Sequence, residues 1–276
     1  MANLKSIYLN PEYMVKAWNQ FLRYSDERAV ISGWIDSNLP RYVTTQDENE
    51  GISILSIGGG TGEVDSHVIK SLQTKTNRIL NVAVEPSRRD LKIYKSLVEN
   101  RKEFECVNFE WKQMTSGEYR KSYRDKKTKF DLIHMIQMLY YVDDVEETIL
   151  DFYENYLKEN GCLLIVIASD NWNRFNKKFH QQPVYLNNLV TAEDIVEILH
   201  RRHIDCTTFK LPSQVEIDEC LKKSKIGSVI LDMITECEDF MNSAPADLFD
   251  DVMTYMKTDG SVANNGNVMF KNDLQA

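Results

Sequence analysis

Residues 52–72 read ISILSIGGGTGEVDSHVIKSL: a six-residue apolar run ends in a glycine cluster, and apolar residues at helical spacing follow at once. Strand, tight turn and helix in that order form the junction at which a doubly wound α/β sheet receives a nucleotide, beyond the carboxyl end of the strand. Gly58, Gly60 and Gly62 give G-x-G-x-G, whereas the dinucleotide fingerprint G-x-G-x-x-G would need its third glycine at Glu63. A carboxylate there opposes a pyrophosphate approaching a helix N-terminus. The turn therefore favours a cofactor without phosphates at that point, such as S-adenosylmethionine, over the nicotinamide cofactor of a dehydrogenase.

Outward from this junction the pattern repeats. Apolar runs at 79–84, 104–109, 130–136 and 162–168 read as further strands, and helical patterns at 64–72, 91–98 and 145–157 lie between most of them. Strands alternating with helices of this length predict parallel βαβ units and a doubly wound sheet. Before the first strand, Asn10-Pro11 places a cap and an N1 proline ahead of Met14, Trp18, Phe21 and Leu22 at amphipathic spacing. A second helix is expected over 29–38, stopped by Leu39-Pro40. After Ser169, helical stretches are expected at 172–179 and 192–203, the second opened by Thr191 with Asp194 three residues on. Residues 216–257 read as almost wholly helical, with Val229, Met233, Ile234 and Cys237 on one face, and a short strand is expected at 268–270.

Composition narrows the function classes. The 276 residues are 42% hydrophobic and carry a formal net charge of −9 without a long basic block, so a phosphate-tracking nucleic-acid surface is not expected. Five widely spaced cysteines without a C-x-x-C suggest reduced thiols, with no zinc site and no disulfide framework. The amino-terminal residues lack the apolar stretch of a secretory signal, and no run approaches the roughly 20 residues that span a bilayer. A cytoplasmic, monomeric protein with no membrane passage is the expectation.

Two further features carry chemistry. Glu85 closes the second strand ahead of Pro86-Ser87, where a carboxylate can accept both ribose hydroxyls of an adenosine lying across the sheet. The run from Phe130 to Tyr141 delivers Gln137, Tyr140 and Tyr141 to the end of a central strand, where a glutamine offers both donor and acceptor to a heterocycle. Asp131 and His134 read as structural, and no nucleophile–base order, metal cluster or carboxylate pair marks a hydrolase.

The segments 54–60, 84–87 and 134–141 together resemble the histamine N-methyltransferase family of class I S-adenosylmethionine-dependent enzymes, and the resemblance extends over essentially the whole chain. It implies a mostly parallel, seven-stranded Rossmann-like sheet with an added helical substrate-binding region. Within a single methyltransferase domain it implies an N-terminal helical substrate cap over 1–45, a cofactor-binding core over 50–212, and a helical insertion with a C-terminal strand over 213–276. Cofactor contacts are implied at Gly58, Gly60, Gly62, Glu85, Asp90, Ser116 and Ile136. Contacts to an imidazole amine are implied at Glu27, Gln137 and Asn272, with aromatic walls from Trp18, Phe21, Tyr140, Tyr141 and Trp172. Taken alone, Asp26-Glu27-Arg28 reads as a solvated charged face. The chain departs from the family pattern at Asn176, Asn187, Met233 and Asp90, which suggests a wider, more polar pocket. The implied activity is methylation of an imidazole nitrogen of histamine or a similar amine, with positioning and no catalytic acid or base. An imidazole dipeptide such as carnosine is the alternative substrate, and a non-catalytic ligand-binding relative is the alternative role.

Overall fold

The computed structural model describes residues 4–44, 51–169, 174–175, 178–179, 190–258, 261–264 and 266–276. Seven strands form the main sheet: β1 (Ile52–Ile57), β2 (Ile79–Val84), β3 (Val107–Lys112), β4 (Phe130–Ile136), β5 (Leu157–Ala168), β6 (Lys210–Leu211) and β7 (Leu274–Gln275). Their spatial order is β3-β2-β1-β4-β5-β7-β6. The first five pair in parallel, and β7 runs antiparallel to β6. The chain steps outward from β1 to β2 and β3, then returns to place β4 on the other side of β1. That reversal makes the carboxyl ends of β1 and β4 the switch point at which such sheets bind ligands.

The longer helices among the described residues are α1 (Pro11–Tyr24), α2 (Glu27–Asn38), α3 (Glu63–Gln73), α4 (Arg88–Glu99), α5 (Ser116–Tyr123), α6 (Val145–Asp151), α7 (Ala192–Arg201), α8 (Lys225–Thr235) and α9 (Ala246–Thr258). Local chemistry explains their ends. The Asn10 side chain accepts the Tyr13 N–H at 3.3 Å with Pro11 at N1, and α2 stops at Asn38 ahead of a 3-10 turn through Pro40. Thr191 and Asp194 bond reciprocally at the start of α7, as their spacing predicts.

Four boundaries differ from the sequence expectation. The strand expected at 104–109 lies three residues later: Phe104 is buried in a 3-10 turn, and the strand follows the alternation Val107, Phe109, Trp111. The helix expected to reach 157 ends at Asp151 and passes through a π-helical turn, 152–156. β5 starts at 157 because Phe130 pairs with Leu157 before a register shift restores pairing at Leu132 and Cys162. The region 216–257 is interrupted by a two-residue strand, Cys237–Glu238, paired with Lys5–Ser6. The strand expected at 268–270 forms within Asn267–Lys271 and pairs with Ser261–Asn264 and Gln214–Glu216.

The chain packs as two units. One comprises Ile31–Ile167 and Ile195–Cys206 and holds β1–β5; its core is built from the sheet's Ile, Leu and Val side chains, such as Ile54, Leu55, Val82 and Leu132. The other comprises Met1–Val30, Ala168–Asp194 and Thr207–Gln275, with a core that includes Ala17, Phe21, Val215, Ile230, Ile234 and Phe270. Fully burying a side chain such as Phe21 contributes roughly 1.5–3 kcal/mol. Among the described residues no helix is long and apolar enough to cross a membrane.

Candidate active site

Parallel strands point their carboxyl ends to one edge, so the segments that follow β1, β2, β3 and β4 all emerge there. After β1 the backbone takes positive φ at Gly58 (75°), Gly60 (53°) and Gly62 (80°), a sequence of conformations that side chains resist. Gly58 N–H extends the ladder to the Val84 carbonyl at 2.9 Å, and Gly62 N–H closes the turn on the Gly59 carbonyl at 3.0 Å. The three glycines serve different ends. A Cβ on Gly58 would lie 2.8 Å from Met138 Cβ, whereas one on Gly62 would lie 2.0 Å from the Tyr94 ring. Gly60 has only the Gly58 carbonyl near it, at 4.0 Å, so its missing side chain leaves open space in front of the turn.

Glu85 ties this turn to the next one. It is 7% exposed; Oε2 accepts the Gly60 N–H at 2.9 Å and Oε1 accepts the Ser87 N–H at 2.8 Å. A carboxylate has about four acceptor sites, so each oxygen retains capacity for a hydroxyl. Burial raises the Glu85 pKa, the Ser87 and Gly60 hydrogen bonds oppose that rise, and the charges of Asp90 and Asp65 add to it. An edge crowded with carboxylates repels phosphate and accommodates a cation. Asp90 is half-buried in the first turn of α4, with its N–H on the Ser87 hydroxyl at 3.2 Å. Ser116 is half-buried as the first residue of α5, behind a Thr115–Glu118 capping box.

Behind the glycine turn lies a buried polar cluster. Tyr94 Oη donates to Asp65 Oδ2 at 2.9 Å and accepts from Asn81 Nδ2 at 3.2 Å, while His134 Nε2 stands 3.7 Å from Asp65 Oδ1. His134 is 2% exposed, in keeping with a structural histidine. Burial lowers its pKa, with Asp65 acting in the opposite sense.

At the end of β4, Ile136 is half-buried and Gln137 follows at φ 53°, uncommon for a residue with a side chain. Gln137 N–H donates to the Val166 carbonyl at 2.8 Å, and Gln137 Oε1 accepts from the Tyr140 hydroxyl at 3.1 Å. That bond sets which edge of the amide accepts and which donates. Tyr140 and Tyr141 stand edge to face, centroids 6.4 Å apart, with Tyr141 59% exposed. Sheet topology thus gathers Gly58, Gly60, Glu85, Asp90, Ser116, Ile136, Gln137 and the tyrosines at one edge.

The other unit holds a second constellation. Glu27, the first residue of α2, is 3% exposed, so Asp26-Glu27-Arg28 is not the solvated face its composition suggests. Asn272 Nδ2 donates to Glu27 Oε2 at 2.7 Å, joining residues 245 positions apart. Trp18 and Phe21 stack at 5.6 Å; Phe21 is a core residue and Trp18 packs against that core. Met233 is 7% exposed within the same core, so it is a packing residue. Trp172, Asn176 and Asn187 lie outside the described residues. Sequence reading missed Asp26, Ser213 and the Asp65–Tyr94 cluster, because their roles depend on partners distant in the chain. Among the described residues no group of three or more His, Cys, Asp or Glu side chains is arranged to hold a metal ion.

Comparison with known proteins agrees with this architecture. A family model described as a methyltransferase domain matches residues 25–208. Histamine N-methyltransferase of Xenopus tropicalis is 35% identical over 285 aligned residues, covering 99% of this chain and 97% of the relative. The Bos taurus enzyme is 32% identical over 285 residues, with the same coverage, and the Danio rerio enzyme is 30% identical over 276 residues, covering 96% of this chain and 94% of its own. The chain belongs to the histamine N-methyltransferase family of S-adenosylmethionine-dependent class I methyltransferases.

Proposed function

We propose that the chain transfers a methyl group from S-adenosylmethionine to a ring nitrogen of histamine. The observation that carries the substrate assignment is the buried Glu27–Asn272 pair, 2.7 Å apart, in a chain similar end to end to named histamine N-methyltransferases. An ammonium or a ring N–H is the kind of ligand that a buried carboxylate–amide pair receives. Among the described residues no donor reaches Asn272 Oδ1, which leaves that oxygen as a second acceptor beside the carboxylate.

The residues at the sheet edge fit S-adenosylmethionine. Gly60 lets a ligand approach the backbone, Glu85 supplies acceptors for two ribose hydroxyls, and the acidic surroundings match a cofactor with a positive centre. Asp90, Ser116 and Ile136 complete the set on this reading. When bound, the cofactor supplies an electrophilic methyl group carried on sulfur. The chain's own work is positioning: a neutral imidazole nitrogen already holds the lone pair, so the residues must hold it about 3–3.5 Å from its target and in line. Gln137, its amide oriented by Tyr140, suits an imidazole ring, and Glu27 with Asn272 suits an ammonium or a ring N–H. Tyr140, Tyr141 and Trp18 provide aromatic surfaces that favour cations by roughly 0.5–2 kcal/mol each when desolvated, while Phe21 supports Trp18 from the core. No side chain is assigned as a base, because the methylated ring loses its other N–H proton to water.

The test is methyl transfer from labelled S-adenosylmethionine to histamine, an imidazole dipeptide and a simple imidazole, with products identified by mass. Ring-methylated histamine as the preferred product is expected. Preference for the dipeptide, or tight cofactor binding without any transfer, would replace this reading with a dipeptide enzyme or a ligand-binding relative.

A further inference from the structure

Ser213 is 3% exposed and uses all three of its polar groups. Its N–H donates to Asp273 Oδ1 at 3.3 Å, its carbonyl accepts the Asn272 N–H at 2.8 Å, and its hydroxyl donates to Asp26 Oδ1 at 2.9 Å. The same Asp26 oxygen accepts the Gln214 N–H at 2.8 Å, and the Asp26 N–H donates to the Gln214 carbonyl at 3.1 Å. Because Asp26 precedes Glu27 and Asn272 bonds Glu27, these contacts close a ring: Glu27, Asp26, Ser213, Asn272 and back to Glu27. All four residues lie in one unit of the chain.

The Ser213 backbone alone suffices to tie down the turn at Asn272–Asp273. Its hydroxyl adds something separate, a lock on Asp26, the residue just before Glu27 and the start of α2. A carboxylate at the head of a helix swings with small changes in the first turn. Misplacement of a binding group by about 1 Å costs up to about a hundredfold in rate.

We infer that Ser213 and Asp26 are positioning residues for amine recognition, holding the Glu27 carboxylate and the Asn272 amide in register with each other. This rests on the reading of Glu27 and Asn272 as amine-binding residues. Ser213→Ala should raise KM for histamine about five- to tenfold, with kcat and cofactor affinity within about twofold of the parent chain. Ser213→Thr keeps the hydroxyl and should restore KM. The rise should be much smaller for an imidazole that lacks the ammonium group. Combined with Glu27→Gln, Ser213→Ala should add almost nothing, because both changes disable one unit.

Asp26→Asn retains the acceptor without its charge, and should shift KM in the same direction by about two- to threefold; it serves if Ser213→Ala does not fold. A lower melting temperature with unchanged KM for histamine in the variants that fold would show that the ring is only structural and would overturn the inference. So would full additivity with Glu27→Gln. If Glu27→Gln and Asn272→Ala themselves leave KM unaltered, the amine site and this inference fall together. If those two raise KM while Ser213→Ala and Asp26→Asn do not, the inference falls alone.

Discussion

Single residues at the glycine turn separate packing from binding. Gly60 and Gly62 both have positive φ, but only Gly62 abuts a neighbour, the Tyr94 ring, at 2.0 Å from a would-be Cβ. Gly62→Ala should therefore cost roughly 2–4 kcal/mol, combining left-handed strain with overpacking. Gly60→Ala should cost only about 1–2 kcal/mol of stability through strain, and should act mainly on cofactor affinity. Denaturant unfolding and calorimetric titration of both variants check this; equal destabilisation would remove the distinction. Glu85→Ala should weaken cofactor binding by about 1.5–3 kcal/mol, the range for hydrogen bonds to a charged group. Its pKa is raised, chiefly by burial, so it takes up a proton above the usual carboxylate range. Ribose hydroxyls need the ionised acceptor, so cofactor affinity should fall as pH drops through that raised pKa. Glu85→Gln should flatten this acid limb.

At the scale of elements, legibility followed the source of the ordering. β1, β2 and β4 form at the residues their apolar runs mark, because buried parallel strands are written as continuous hydrophobic segments. β3 lies at the sheet's edge and alternates, with Asn108 and Glu110 between Val107, Phe109 and Trp111, so a search for an unbroken run settles three residues early on Phe104. The Cys237–Glu238 strand is set by pairing with Lys5–Ser6, more than two hundred positions away, and no local signal encodes it. The candidate site divides the same way: Gly58, Glu85 and Gln137 follow strands and are readable, whereas Ser213 matters only through its distant partners. Asp232, inside α8, stands in for a regular cap on the short helical turn that follows. It accepts the Asp239 and Phe240 N–H groups, each at 2.9 Å, and the Tyr13 hydroxyl at 2.5 Å. Asp232→Ala would orphan these three donors and should cost about 3 kcal/mol or more, at about one to three for each buried group left unsatisfied. Tyr13→Phe, which leaves the backbone bonds intact, should cost less, as denaturant midpoints will show.

At the scale of the molecule, two buried titratable groups in the sheet unit act on stability with opposite signs. Glu85, with its raised pKa, holds its proton more readily folded than unfolded, so its burial cost is relieved as pH falls. His134 does the reverse. It is 2% exposed, neither ring nitrogen has a hydrogen-bond partner among the described residues, and burial lowers its pKa against the pull of Asp65. The unfolded chain protonates this histidine near its ordinary pKa of about 6.5, at a pH where the folded chain still keeps it neutral. The contribution of neutral His134 is therefore complete above about pH 6.5 and declines below it, by up to about 1.4 kcal/mol per pH unit, until the folded pKa is passed. His134→Phe should remove that slope below about pH 6.5, whatever its effect on absolute stability, while Glu85→Gln should leave it in place and make it steeper wherever the two titrations overlap. Thermal unfolding of the parent chain and both variants across this range separates the contributions. A parent slope that persists unchanged in His134→Phe would mean that another group carries the proton uptake.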